Sequence, residues 1–160
     1  MASQSVAEST VTARPTPPHE PSLTLKRRIN ASAEKIYAAW TKPENLIRWF
    51  GPAMVKQETV RADVDARIDG HYRISFDDDR GEHHEVGGTY REMVPHSRLV
   101  FSWAWHSTPG RESQVTVLLK PDGAGTLLTL HHEQLFDTVA RDAHEHGWMG
   151  TLDKLQRMFA

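Results

Sequence analysis

Apolar and polar residues alternate along most of the segment from residue 55 to residue 133, and a period of two residues predicts β-strands. The alternation is clearest over residues 72–76, 99–105 and 115–119, and residues 56–64 are predicted to form a further strand. Turn residues separate these strands, among them Asp69-Gly70 and Pro109-Gly110. Successive strands joined by short turns pair with their neighbours in the chain, so the pattern predicts an antiparallel meander.

Two short helices are predicted between the first strand, at residues 23–29, and the meander. Ser32 is placed to cap the first helix, because a serine oxygen can accept a hydrogen bond from a free backbone N–H of the first turn. Pro43 ends this helix and opens the second, since proline is tolerated at the first helical position. Gly51-Pro52 then ends the second helix.

A long amphipathic helix is predicted at the end of the sequence. Apolar residues recur there with a period of 3.6, from about Asp137 or Thr138 to Met158. Gly147 lies inside this helix, where glycine costs about 1 kcal/mol relative to alanine. We expect that this glycine allows a close approach of the helix to the sheet.

These elements predict one α+β domain, in which the long helix covers the apolar face of the sheet because no other element is large enough to do so. Residues 1–21 have a different composition, rich in Ser, Thr and Ala, with four prolines among residues 15–21. Such a segment buries too little apolar surface to offset the entropy lost on ordering. We therefore predict a disordered tail over residues 1–21 and a folded domain over residues 22–160.

Charge and composition exclude several classes of function. The 160 residues include 19 basic and 21 acidic ones, and a net charge of −2 argues against a nucleic-acid-binding protein. The chain has no cysteine, which excludes disulfides, thiolate metal sites and cysteine nucleophiles. No apolar run approaches the roughly 20 residues of a membrane-spanning helix, and no secretory signal pattern is present. We predict a cytoplasmic protein without membrane insertion. Because nucleotide-binding and nucleophile motifs are lacking, we also predict that the protein has no cofactor and no catalytic residues.

Five segments carry a resemblance to a known family, at residues 39–52, 88–92, 98–105, 125–133 and 144–148. In their residues, order and spacing, the chain resembles the START-like (SRPBCC) superfamily. Within it the chain is most similar to the branch named after the activator of the ninety-kilodalton heat-shock chaperone's ATPase. The resemblance implies a helix-grip fold, a curved antiparallel sheet wrapped around the C-terminal helix, with an apolar cavity near the N-terminal half of that helix. Asp69-Gly70 stands where the family usually has Gly-Gly.

Large aromatic residues are the main candidates for a ligand site. Aromatic side chains suit apolar pockets because they bury a large area, and Tyr and Trp also offer a polar group. The same residues could simply form the hydrophobic core, and the resemblance is what favours a pocket. The candidates are Trp49, Phe50, Tyr72, Tyr90, Phe101, Trp103, Trp105 and Trp148.

Two histidines are added to the candidate site, His132 and His144, as groups that could bond the polar end of a ligand. A zinc site is the alternative for a histidine-rich chain, but no HExxH spacing is present. His144 and His146 lie two residues apart and point to different faces of a helix. We therefore predict no metal site.

The function predicted from these residues is the binding of a small apolar or aromatic molecule, without catalysis. Two alternatives stay open. A cyclase or aromatase could use His132 and Glu133 for acid–base chemistry inside an apolar pocket. The resemblance also implies a possible chaperone partner in a stress response.

Overall fold

The computed structural model describes residues 20–160. The predicted tail at residues 1–21 therefore lies outside the described residues, except for its last two. The helices and strands follow one another in the predicted order, with one additional 3-10 turn. The elements are β1 (Leu23–Ile29), α1 (Ala33–Thr41), α2 (Pro43–Trp49), a 3-10 turn (Gln57–Thr59), β2 (Arg61–Val64), β3 (His71–Asp77), β4 (His83–Val94), β5 (Arg98–Trp105), β6 (Ser113–Asp122), β7 (Gly125–Glu133) and α3 (Thr138–Met158).

The seven strands form one antiparallel sheet in the order β1-β7-β6-β5-β4-β3-β2. Strands β2 to β7 follow one another as the predicted meander, and β1 pairs with β7 from Leu23 opposite His132 to Ile29 opposite Thr126. The long helix α3 packs on the sheet, where Arg27 of β1 contacts Asp153 at 2.6 Å. The α+β helix-grip prediction is confirmed.

The prediction of a strand over residues 56–64 is wrong in its first half. Residues Gln57–Thr59 form a 3-10 turn, and the strand begins at Arg61. The Thr59 hydroxyl donates to the Lys56 carbonyl at 2.6 Å and accepts from the Asp77 amide at 2.9 Å. A side chain that bonds the local backbone competes with the hydrogen bonds of a sheet, and this explains the turn.

The two short helices begin and end as the sequence predicts. Ser32 Oγ accepts from the Lys35 amide at 3.2 Å and caps α1, and Pro43 is the first residue of α2. The indole of Trp49 is fully buried and donates to the Ala39 carbonyl at 3.0 Å. Trp49 therefore fixes α2 against α1.

The residues just before β1 run beside the start of α3. The Leu135 amide donates to the Pro21 carbonyl at 3.1 Å. Arg141, in the first turns of α3, donates to the Ser22 carbonyl at 3.0 Å. The first described residues of the chain are thus attached to the N-terminal end of the last helix.

Helix α3 begins where predicted, with Asp137 Oδ1 accepting from the Ala140 amide at 2.8 Å. The expected role of Gly147 is wrong, because a Cβ there would meet only Pro52 Cβ, at 3.9 Å. The close approach occurs one turn later, at Gly150, where a Cβ would lie 3.0 Å from the Ala53 amide nitrogen. At these two glycines, the helix therefore faces the loop after α2 rather than the sheet.

Within residues 20–160, no helix combines the length and the apolar character needed to span a membrane.

Candidate functional site

An open cleft of about 200 Å³ lies between the sheet, the loop after α2 and the N-terminal half of α3. It continues inward as a narrow space of about 40 Å³ beneath Phe50, Trp103 and Trp148. Pro52, Trp105 and His144 border both parts. The walls of the cleft are Pro52, Met54, Phe76, His84, Trp105, Ala143 and His144.

The sheet wall of the cleft follows from the alternation along three neighbouring strands. Phe76 of β3 lies opposite His84 of β4, and Val86 of β4 lies opposite Trp105 of β5. Alternate residues of a strand share a face, so Phe76, His84 and Trp105 all project from the face that packs against α3.

The loop after α2 forms the opposite rim. Gly51 turns the chain with a backbone φ of 102°, a conformation that residues other than glycine rarely adopt. Lys154 of α3 then holds the loop, since its Nζ donates to the Pro52 carbonyl at 3.3 Å and to Gln57 Oε1 at 2.7 Å. Partial burial, together with the charge of Arg157, lowers the pKa of Lys154 to about 8.

His144 joins the helix wall of the cleft to the sheet wall. Its Nε2 accepts from the indole of Trp105 at 2.9 Å and from the indole of Trp103 at 3.3 Å. An indole N–H can only donate, so Nε2 carries no proton and Nδ1–H donates to the Ala140 carbonyl at 2.7 Å. Burial lowers the pKa of His144, and the bond to Ala140 offsets part of that effect.

His132 makes a second, fully buried set of hydrogen bonds. Its Nδ1 accepts from the Trp148 indole at 3.0 Å, so Nε2–H donates to Ser113 Oγ at 2.7 Å. The Ser113 hydroxyl donates in turn to the Trp103 carbonyl at 3.3 Å. Burial first, and then the neighbouring His144 and His131, lower the pKa of His132 well below its usual value. The imidazole is therefore neutral at physiological pH.

Much of the predicted aromatic set packs as the core. The space beneath α2 is a cavity of about 10 Å³, room for a single water molecule. Tyr72 lines it, and its hydroxyl donates to the Ser102 carbonyl at 2.6 Å. Burial raises the pKa of Tyr72 and of Tyr90. The lining residues are Trp40, Leu46, Phe50, Tyr72, Ile74, Tyr90, Phe101 and Trp103.

The predicted site residues therefore separate into two groups. Trp105 and His144 line the open cleft, and Phe50, Trp103 and Trp148 line its narrow extension. The other five lie in the packed interior: Trp49, Tyr72, Tyr90, Phe101 and His132.

Sequence reasoning missed most of the cleft walls. The signal for Phe76 and His84 was present in the alternation. Phe76 shares a face of β3 with the inward-facing Tyr72, and His84 shares a face of β4 with the inward-facing Tyr90. The signal for Pro52, Met54 and Ala143 was absent, since their position depends on how the loop after α2 meets α3.

Glu133 and His132 lie on opposite faces of the sheet. Adjacent residues of a strand point to opposite faces, and Glu133 lies opposite Gln114 of β6, whose Nε2 donates to it at 3.4 Å. The structure thus separates the two groups that the cyclase alternative combined.

His84 is paired with a buried carboxylate at the end of β3. Its Nε2 lies 3.0 Å from Oδ2 of Asp78, a residue that is 4% exposed. Oδ1 of Asp78 accepts from the backbone amides of Arg80 and Glu82, each at 2.9 Å. The hydrogen bond from His84, and then those two amides, lower the pKa of Asp78 to about 2.

Asp78, Glu82 and His84 each offer one metal-ligand atom, and these atoms lie within 4.8 Å of one another. Both oxygens of Asp78 already accept hydrogen bonds from the protein, so the arrangement is explained by the turn between β3 and β4. We assign no metal to it.

The fold and the cleft define the class of protein. A curved antiparallel sheet that wraps around a C-terminal helix, with a cleft at the start of that helix, is the architecture of START-like domains. The chain belongs to the family described as "Activator of Hsp90 ATPase homolog 1-like protein", whose model matches residues 30–160.

Solved structures of similar proteins have the same fold. A protein from Chromobacterium violaceum is 26% identical, with a TM-score of 0.74, and the match covers 87% of this chain and 97% of that one. An AHSA1 protein from Silicibacter pomeroyi is 25% identical, with a TM-score of 0.71 and coverage of 86% and 96%. CalU16 from Micromonospora echinospora is 27% identical, with a TM-score of 0.65 and coverage of 91% and 81%. No curated protein matches the sequence.

Proposed function

We propose that this protein binds a small apolar or aromatic molecule in the cleft at the N-terminal half of α3, and that it does so without catalysis. The observation that carries the proposal is the contrast between two spaces. Side chains fill the interior and leave a cavity of only about 10 Å³, whereas the cleft of about 200 Å³ is open and has apolar and aromatic walls. A ligand that buries apolar surface against these walls is stabilised by about 25 cal/mol per Å² of buried area, before the costs of association.

The volume of the cleft limits the size of the ligand. Pockets for drug-sized molecules measure about 300–1,000 Å³. The cleft and its extension, about 200 Å³ and about 40 Å³, fall below that range. We infer a ligand of one or two rings, stacked between Phe76 and Trp105 on one side and Pro52 on the other.

The hydrogen bonds of the two predicted histidines argue against an acid–base role for these two residues. The nitrogen atoms of His132 and His144 are all engaged within the protein. A general base needs a free lone pair within reach of the proton that it abstracts. Neither ring offers one, so we do not assign them an acid–base role.

The proposal is tested by an amide NMR titration with a panel of one- and two-ring aromatic compounds. We expect saturable shifts at Met54, Trp105 and His144. Ala143→Leu, which fills the cleft, should weaken binding about tenfold or more. Ala124→Leu is the matched control, because Ala124 is an exposed alanine in the turn between β6 and β7. Binding that survives Ala143→Leu unchanged would place the ligand elsewhere.

A chaperone of the Hsp90 class is the second candidate partner, favoured by the description of the family. Two apolar side chains at the start of α3 offer a contact surface, since Phe136 is 57% exposed and Val139 is 76% exposed. Under this alternative, the purified protein should raise the ATPase rate of such a chaperone, and Val139→Ser should reduce that effect. An unchanged ATPase rate removes the alternative.

A further inference from the structure

We propose that the cleft selects aromatic weak acids, above all phenols, whose hydroxyl group bonds the free ring nitrogen of His84. This inference rests on the proposed function, because it names the chemical class of the molecule that occupies the cleft. The structural basis is the His84–Asp78 pair at the sheet wall.

The His84 ring is held in one orientation. Its Nε2 bonds Asp78 Oδ2 at 3.0 Å, and its face lies against Phe76, with 5.4 Å between ring centroids and an interplanar angle of 33°. Trp105 adds an edge contact at 6.3 Å. The side chain is nevertheless 34% exposed, and it lines the open cleft. The ring is therefore fixed on one edge and accessible on the other.

Nδ1 is the ring nitrogen that does not bond Asp78, and it is not buried. Among residues 20–160, no protein group forms a hydrogen bond with this nitrogen, whereas both nitrogens of His144, the other histidine of the cleft, are engaged. His84 is thus the cleft histidine that can bond a ligand directly.

The carboxylate of Asp78 determines which ring nitrogen of His84 carries the proton. Its carboxylate is ionised at neutral pH and can only accept, so the His84 proton lies on Nε2. In the uncharged ring, Nδ1 presents a lone pair, which accepts a hydrogen bond from a ligand O–H. If the proton passes from the ligand oxygen to Nδ1, an imidazolium ion lies between the ligand anion and the Asp78 carboxylate. The contacts are favourable for either position of the proton. With the proton on the ligand oxygen, a donor faces an acceptor at Nδ1. With the proton on Nδ1, the imidazolium ion lies between two negative charges.

A ligand without an acidic hydroxyl group covers Nδ1 and removes it from water without replacing the lost hydrogen bond. Such a loss disfavours binding. The cleft should therefore discriminate between two molecules of nearly the same shape that differ in this one donor.

The test compares 2-naphthol with its methyl ether, 2-methoxynaphthalene, by calorimetry in the presence of EDTA, which excludes a metal held by Asp78, Glu82 and His84. We expect 2-naphthol to bind about tenfold more tightly than the ether. His84→Phe should abolish the difference between the two compounds. His83→Phe is the matched control, because His83 makes a similar pair with Asp77 at 2.7 Å but is 61% exposed and not part of the cleft.

A second measurement does not depend on any variant. In the ¹⁵N spectrum of the histidine rings, 2-naphthol should shift Nδ1 of His84, and the ether should not. Equal affinities for the two compounds would overturn this inference and leave the proposed function intact. Failure of both compounds to bind would overturn the proposed function as well. Loss of the preference in His83→Phe would also contradict a specific role of His84.

Discussion

Nε1 of Trp105 donates a 2.9 Å hydrogen bond to Nε2 of His144, and this contact joins β5 to α3 across the inner end of the cleft. The bond requires a neutral imidazole, because a protonated Nε2 would face the indole N–H groups of Trp105 and Trp103. The structure of the cleft is thus coupled to the protonation of one histidine.

The first prediction is that the protein loses stability in mild acid. Burial lowers the pKa of His132 and of His144 in the folded protein, whereas the unfolded chain has ordinary histidines near 6.5. Below that pH the unfolded state binds more protons, so the free energy of unfolding falls as pH falls. Urea denaturation should show a loss of about 1–2 kcal/mol between about pH 7.5 and about pH 5.5.

The control for this prediction is His146→Gln, which removes an exposed histidine of α3 and keeps both His132 and His144. A free energy of unfolding that is equal at the two pH values would contradict the neutral, buried state of His132.

The second prediction concerns Ser113. Ser113→Ala removes the acceptor for Nε2–H of His132, which leaves a buried donor without a partner. We expect a loss of about 1–3 kcal/mol in the free energy of unfolding, measured in urea. Ser97→Ala, which removes an exposed hydroxyl bond to Val94, should change stability by less than about 0.5 kcal/mol. Similar effects of the two variants would disprove the hydrogen-bond assignment.

The third prediction separates the two glycines of α3. Gly147→Ala should stabilise the protein by about 0.5–1 kcal/mol, because the new methyl group would make only an ordinary contact with Pro52 at 3.9 Å. Gly150→Ala should give no such gain, because its methyl group would lie 3.0 Å from the Ala53 amide nitrogen and displace the loop. Thermal unfolding of both variants decides this, and a destabilised Gly147→Ala protein would refute it.

The fourth prediction concerns the rim of the cleft. Lys154→Met removes the bonds from α3 to Pro52 and Gln57, so residues 52–57 should exchange amide hydrogens faster. Lys120→Met is the matched control, because Lys120 is an exposed lysine of β6, away from this loop. Unchanged exchange in Lys154→Met would mean that the loop is held by other contacts.

Local patterns were enough to predict the elements and the α+β class, and the family resemblance added the helix-grip arrangement. The alternation in β3, β5 and β6, the cap at Ser32 and the period of α3 depend on neighbouring residues only, and all reappear in the structure. The strand predicted over residues 56–64 failed in its first half because the Thr59 hydroxyl bonds the nearby Lys56 carbonyl and also the Asp77 amide. The contact with Asp77, a residue 18 positions away, is not visible in a local pattern.

The site was harder to predict, because a pocket and a core have the same composition. Tyr72 and Trp105 are both inward-facing aromatic residues, yet Tyr72 is packed and Trp105 borders the cleft. What separates them is the position of α3 along the sheet, where Gly150 lies close to Ala53 of the loop after α2. Such three-dimensional positions are not encoded in any short segment.

The attachment of Pro21 and Ser22 to the start of α3 has a practical consequence for experiments on this protein. A tag, fluorophore or immobilising surface joined directly before Pro21 would lie beside Arg141, two residues before the cleft residue Ala143. The 21 residues of α3 place its other end about 30 Å away. Labels for binding assays therefore belong at Ala160, where they leave the entrance of the cleft clear.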